Sequence, residues 1–459
     1  MFASSRISRS FLAVCAVGAA AVVAGCGGSS ASSEDPTPPA ASCNLSGQQA
    51  WLANYMDDWY FWYRISPRPS AAGFTSVESY FDALLYNGTS VDFPADRWSA
   101  SQSTESFNRF FGDGATLGYG VAVNGIEVDG DVSRPLFVRY VDPGSPAAQQ
   151  GVSRGDEIRS LNGRSVTSVV AEDDYGVLSP AQPGDQLTLV LRRNGVERTV
   201  VLTAAVFTLS PVQGVTVQTT PRGRRVGYVQ VKDMVSQSLA PMEAAFAQFR
   251  SAGVQDVVLD LRYNGGGLVS TGGTLASYIA GSRGAGLDYA RLLYNDKRAS
   301  ANNQSFPFSQ PASGLGLPRV YVLAGPRTCS ASEQLINGLR GAGVDVITVG
   351  GTTCGKPVGS LPTSSCGRTY SVVNFESVNQ RNEGRYFDGF LASCPVAEDF
   401  SASQGSATDP LVVAAQRHAD TGACLASSGE TARPLAARRA DGTPRRTVEP
   451  DERQGLLPR

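Results

Sequence analysis

Apolar residues recur along this chain in three rhythms, and the rhythm changes near residues 111 and 208. Between 43 and 110, Trp51, Tyr55, Trp59 and Trp62 fall at helical spacing with Leu52 and Met56 beside them. That spacing predicts an amphipathic helix, and its aromatic stripe reads more readily as packing against the body than as a ligand site. Between 111 and 207, short apolar runs are broken by glycine turns, as at Gly118-Tyr119-Gly120 before Val121-Ala122-Val123 and at Asn162-Gly163 after Leu161. This predicts a separate β-rich unit. From 208 to 424 strands and helices alternate. Val226 to Lys232 alternates apolar with polar, Leu239, Met242, Phe246 and Phe249 share a helical face, and Val257–Leu261, Val320–Leu323 and Val344–Val349 read as strands. Leu335, Ile336 and Leu339 line a helix beginning near Ser330. The expected class is α/β (α+β multidomain), with reactive groups in loops beyond the strand ends. Residues 425–459 carry seven arginines against five acids with little apolar periodicity, which predicts a disordered tail.

At 459 residues the chain exceeds one core of usual size, so several domains are expected. A net charge of −2 gives no electrostatic case for nucleic acid. The N-terminus reads as a signal peptide over 1–25: Arg6 and Arg9 precede an apolar stretch from Phe11 to Ala24, too short to span a bilayer comfortably. The small residues before Cys26 resemble a bacterial lipobox, implying cleavage before Cys26 and lipidation of its thiol. The alternative is a plain signal peptide with an incidental cysteine. Residues 26–42, rich in Gly, Ser, Ala and Pro, suit a flexible tether. The expected location is the periplasmic side of a bacterial envelope. Glycine at 27 and 28 resembles sorting to the outer membrane.

Six cysteines remain after these: Cys43, Cys329, Cys354, Cys366, Cys394 and Cys424. An even number in an exported chain points to disulfides, with fifteen pairings open. A Cys329–Cys354 bridge would fix the region between them. Free buried thiols are the alternative. No Cys-x-x-Cys occurs and there is one histidine, His418, so no metal site is expected.

That single histidine also shapes the candidate chemistry. Thr328-Cys329-Ser330-Ala331-Ser332-Glu333 offers a serine at a helix start, and Gly355-Lys356 follows twenty-six residues later. With almost no imidazole available, a lysine is the base to look for behind a serine nucleophile. Ser330 and Glu333 also form a capping-box pattern, so Ser330 by itself reads better as a cap. The Ala331 N–H at a helix start is suited to hold an oxyanion. Lys356 must be neutral to act, and its sequence neighbours contain no carboxylate, which permits a depressed pKa. The alternative is an exposed lysine in a glycine loop. Asp260-Leu261-Arg262-Tyr263-Asn264-Gly265-Gly266-Gly267 follows a strand; its glycines allow close backbone approach and make Gly266 a candidate oxyanion donor, or merely turn the chain.

Two resemblances join these segments. Residues 111–207 resemble a PDZ domain, in which Gly118, Tyr119, Gly120 and Val121 match the loop that receives a peptide C-terminus. The order PDZ, Asp-Leu-Arg-x-Asn-x-Gly-Gly, Ser-Ala-Ser-Glu and Gly-Lys resembles the C-terminal processing (tail-specific) peptidases, a serine–lysine protease family. The resemblance implies a crotonase-like α/β protease core over 208–424, a PDZ domain, and an N-terminal helical segment over 43–110. It also implies Ser330 as nucleophile, Lys356 as base, Ala331 and Gly266 as oxyanion donors, protein or peptide substrates, and no cofactor. The oligomeric state stays open. Two positions depart from the family: Gly265 stands where proline is frequent, and Ser360 where a glutamine usually orients the lysine. Ser360 is therefore the candidate third member. A rival reading is an inactive homologue that binds peptides as a PDZ lipoprotein. A phosphate loop at Gly350–Lys356 is disfavoured, because Pro357 occupies the place of the metal-binding hydroxyl.

Overall fold

The computed structural model describes residues 39–425 and 455–457. The signal peptide, Cys26 and most of the linker and tail lie outside the described residues.

The centre is a six-stranded sheet in the order Val212–Thr219, Arg225–Val231, Asp256–Asp260, Arg319–Ala324, Asp345–Gly350 and Cys394–Pro395. The first pair is antiparallel and the others are parallel. Parallel strands joined by helices are buried on both faces, which explains the unbroken apolar run at Val257-Val258-Leu259. Alternate side chains then feed two cores. Val229, Val231, Leu259, Val320 and Val322 pack with the helices Leu239–Ala252, Val269–Ala280 and Ala331–Gly341. Tyr228, Val258, Tyr321, Leu323 and Val349 pack on the other side with the helix Pro410–Thr421.

The N-terminal region is part of the first core. Its helix runs Leu45–Trp59, capped by Asn44, and Trp51, Trp59, Trp62 and Trp98 are all buried in that core. The aromatic stripe is thus packing. The helix stops before Trp62, because Tyr60 turns extended and sends its hydroxyl to the buried Asp96 at 2.7 Å. Cys43–Cys366 ties the region to the core, and the remaining cysteines pair as Cys329–Cys354 and Cys394–Cys424. All six candidate cysteines are therefore in disulfides.

The β-rich unit has its own core, including Val138, Ile158, Leu187, Leu189, Leu191 and Leu202. The hairpin Gln186–Arg193/Val196–Thr203 closes over Asn194-Gly195, both at positive φ, as a two-residue turn requires. The strands Ala115–Gly118 and Ala205–Thr208 pair antiparallel, so entry and exit of the unit lie together, as in a domain inserted into a loop. Arg154 spans the seam to the core: it donates to the Tyr263 hydroxyl at 2.6 Å and to Glu398 at 2.8 Å.

One expectation is corrected. Within the tail read as disordered, Gly455–Leu457 forms a strand paired in parallel with Gly266–Leu268. Among the described residues, no helix is long and apolar enough to cross a membrane.

Candidate active site

Ser330 stands at the turn from the strand Arg319–Ala324 into the helix Ala331–Gly341. Its backbone is at φ 61°, ψ −117°, a region that costs a non-glycine residue about 1–3 kcal/mol. A residue kept there needs a surrounding that fixes it, and Glu333 supplies one. The Glu333 carboxylate, fully buried, accepts from the Ser330 N–H at 3.0 Å, the half of a capping box legible in sequence. The other half is loose: the Ser330 Oγ is buried and makes no bond of hydrogen-bonding geometry. Ser330 is thus held by its backbone while its hydroxyl is left over. At the first helical position, the Ala331 N–H has no acceptor within the helix.

Glu333 also holds the lysine loop. It accepts from the N–H groups of Gly355 and Lys356 at 2.8 Å each and from the Thr353 hydroxyl at 2.5 Å. The Ser330 and Lys356 amides share the same carboxylate oxygen. The reach of two hydrogen bonds puts those nitrogens within about 6 Å of each other. Cys329–Cys354 bridges the same two segments with Cα atoms 5.2 Å apart. Gly355 is at φ 83°, and a Cβ there would lie 2.1 Å from the Phe387 carbonyl oxygen, so only glycine fits. Arg97, from the N-terminal region, donates to the carbonyls of Cys354 at 3.2 Å and Phe387 at 3.1 Å.

Lys356 is 3% exposed. Burial pulls its pKa down to about 8, against the carboxylates of Asp96 and Glu333, which favour the cation. The absence of acids near Lys356 in sequence therefore does not carry into space. Burial also pushes the Glu333 carboxyl up, opposed by the bonds it accepts. Ser360 is buried on the way out of the lysine loop, and its hydroxyl makes no hydrogen bond to Lys356.

Asn264 organises the glycine motif. Its carbonyl accepts from the Cys329 N–H at 3.1 Å and the Ser332 hydroxyl at 3.0 Å, while its side chain donates to the Val231 carbonyl at 2.9 Å. Its Oδ1 accepts the Gly266 N–H at 2.8 Å. Gly266 stands beside the Ser330 turn with its amide already committed, so an oxyanion-donor role would require it to exchange partners. Gly267, at φ 136°, packs so closely on Met234 that a Cβ would lie 2.2 Å from its carbonyl oxygen.

In the β-rich unit, Gly118, Tyr119, Gly120 and Val121 line a cleft of about 900 Å³ that runs between this unit and the N-terminal region. The Tyr119 and Gly120 carbonyls turn inward, accepting from the Ala147 and Asp142 N–H groups at 2.9 and 3.0 Å. Because a trans peptide sets its N–H opposite its C=O, the Gly120 and Val121 amides face away from the domain interior.

Sequence reasoning named Ser330, Lys356, Ala331 and Gly266, and the structure gathers all four. It missed Glu333 as a clamp on the lysine loop, Asn264 as holder of the glycine segment, and Asp96 and Arg97. The spacing within Ser-Ala-Ser-Glu and Asp-Leu-Arg-x-Asn carried a hint of the first two.

The structure thus joins a strained serine at a helix start, a buried lysine of lowered pKa and an appended β-rich domain in one α/β chain. Residues 225–382 match peptidase family S41, 137–193 a PDZ domain, and 47–100 the peptidase S41 N-terminal domain. The matched core and N-terminal regions are similar to those of peptidase family S41. The chain is 30% identical over 296 residues to carboxyl-terminal-processing peptidase 3, chloroplastic, of Arabidopsis thaliana, covering 61% of this chain and 53% of that one. It is 28% identical over 243 residues to the chloroplastic C-terminal processing peptidase of Tetradesmus obliquus, covering 50% and 48%. The chain thus spans about half the length of these curated relatives. Among solved structures, an S41 protease of Bacteroides fragilis shares the fold with a TM-score of 0.62 at 24% identity, over 81% of this chain and 97% of that one.

Proposed function

We propose that the chain is a serine endopeptidase that cleaves exported proteins or peptides near their C-termini through Ser330 and Lys356. The observation that carries this is the double role of Glu333, which holds the nucleophile turn and the lysine loop on one carboxylate. Neutral Lys356 takes the proton of Ser330 Oγ, and the oxygen attacks the peptide carbonyl. The Ala331 N–H, joined by that of Gly266 once it leaves Asn264, stabilises the tetrahedral oxyanion. The acyl-enzyme forms as the amine departs, and water releases it. The Gly118–Val121 loop receives the substrate's C-terminal carboxylate and sets where along the chain cleavage falls. Ser360 stays the candidate third member only if substrate turns its hydroxyl toward Lys356. Three disulfides suit an oxidising compartment, and we place the protein outside the cytoplasm, anchored through a lipid on Cys26.

Labelling with a serine-directed fluorophosphonate tests the reading. The expected result is labelling of the wild type, lost in Ser330→Ala together with at least about a 10³-fold fall in peptide cleavage. No labelling of a folded wild type favours the peptide-binding homologue instead.

A further inference from the structure

The strand Gly266–Leu268 has two edges. One is fixed by Met234, which donates to the Gly266 carbonyl at 3.0 Å and accepts the Leu268 N–H at 2.7 Å. The other edge pairs with a single partner, Gly455–Leu457, in the register Gly266 with Gly455, Gly267 with Leu456 and Leu268 with Leu457. This partner also touches the helix that starts at Ala331 and the strand Val358–Gly359 just after Lys356. It therefore lies among the oxyanion segment, the nucleophile helix and the base. Leu457 is 4% exposed and lines the same cleft as the Gly118–Val121 loop.

An open strand edge accepts an extended peptide through main-chain bonds, with alternate side chains giving specificity. A substrate whose scissile bond reaches Ser330 must cross the place now filled. We propose that Gly455–Leu457 is a built-in pseudosubstrate: the chain's own segment occupies the substrate strand and competes with peptides for it. Twenty-nine residues separate it from Leu425, enough to span roughly 100 Å when extended, so the contact is within one chain. The same pairing defines a ligand class for the site, an extended peptide with an aliphatic side chain at the position of Leu457. The self-blocking role rests on the peptidase reading; the occupancy does not.

The test compares the full chain with Leu457→Asp and with a chain lacking 455–457, each checked for an unchanged Tm. Hydrogen–deuterium exchange at the Gly267 amide reads occupancy without any activity, because the Gly266 and Leu268 amides are held by Asn264 and Met234 whether or not the strand is docked. Both variants are expected to lose protection there, and unchanged protection overturns the proposal. Fluorophosphonate labelling of Ser330 and the KM for a fluorogenic peptide read the block. We expect labelling about tenfold faster and KM lowered by a similar factor, with kcat unchanged, as for release of a fractionally occupied site. Wild-type labelling and KM in the variants overturn the inhibitory role even if protection is lost. Lost protection with no labelling in any chain refutes the peptidase reading and leaves the docked strand standing. Protection that falls on dilution of the wild type overturns the intramolecular contact.

Discussion

Two buried cations of the core, Arg262 and Lys356, are treated in opposite ways. Arg262 is 2% exposed and lies 2.6 Å from Asp409, 2.9 Å from Asp260 and 3.3 Å from Glu398. Burial opposes its charge, but those carboxylates outweigh it and hold the guanidinium protonated well above its usual range. Lys356 is as deeply buried, yet burial wins and its pKa falls to about 8. The difference lies in where the acids spend their lone pairs. Around Arg262 they bond the cation directly. The two acids near Lys356 instead accept neutral donors: Glu333 takes three backbone N–H groups and a hydroxyl, and Asp96 takes the Tyr60 hydroxyl and two N–H groups. A saturated ion pair makes scaffold; a cation whose neighbouring acids bond other donors keeps a lowered pKa, the property the proposed base needs.

Replacing each cation with methionine breaks this comparison most severely. Lys356→Met is expected to cut peptide cleavage by about 10²–10⁴-fold, the usual worth of a general base, without lowering Tm. It also removes a pH dependence of stability. The folded pKa of Lys356 lies below the ordinary 10.5, so the unfolded chain binds more protons between about 8 and 10.5, and stability rises with pH across that window. Arg262→Met leaves Asp260 and Asp409 buried without their counter-charge and is expected to cost about 3–5 kcal/mol in denaturant unfolding. The reverse pattern, a stable Arg262 variant and an unstable Lys356 variant, would exchange the two roles.

Glu333→Gln is a smaller change with a mixed signature. An amide can keep the donors on one oxygen but turns its NH₂ against the others, leaving at least one buried N–H unpaired at about 1–3 kcal/mol. Both the nucleophile turn and the lysine loop loosen, so kcat is expected to fall more than KM rises. Equal effects on both would mean that Glu333 serves only the fold.

What could be read from the sequence divides along similar lines. Ser330, Ala331 and the cap-side role of Glu333 fall within four residues, and a helix start imposes their geometry locally. Val257-Val258-Leu259 announced a strand, which the structure buries on both faces. The lysine-side role of Glu333 depends on Thr353, Gly355 and Lys356, twenty or more positions on, where no local rule fixes the approach. Asp96 and Arg97 reach the site only because the aromatic N-terminal region packs onto the core. Gly455–Leu457 is a strand only because Gly266–Leu268 offers an edge. Its own three residues carry no period, so the surrounding composition spoke for disorder.

Asp96→Asn has the smallest expected effect on activity and isolates the field on the lysine. The Asn Oδ1 can keep the Trp98 and Ser99 N–H groups, both at 2.9 Å, but the buried Tyr60 hydroxyl, which also accepts the Tyr86 N–H, loses its acceptor, so a cost of about 1–3 kcal/mol is expected in denaturant unfolding. Also lost is a negative charge that favours protonated Lys356. The lysine pKa should therefore fall further, and the acid limb of the kcat/KM profile should move below its wild-type position near pH 8. At pH 7, where about one wild-type lysine in ten is neutral, the variant should be faster, by less than tenfold because a weaker base also transfers the proton less readily. Above the limb the variant should be slightly slower for the same reason. A limb that stays in place removes Asp96 from the lysine's field, and one that moves to higher pH contradicts the sign of the coupling.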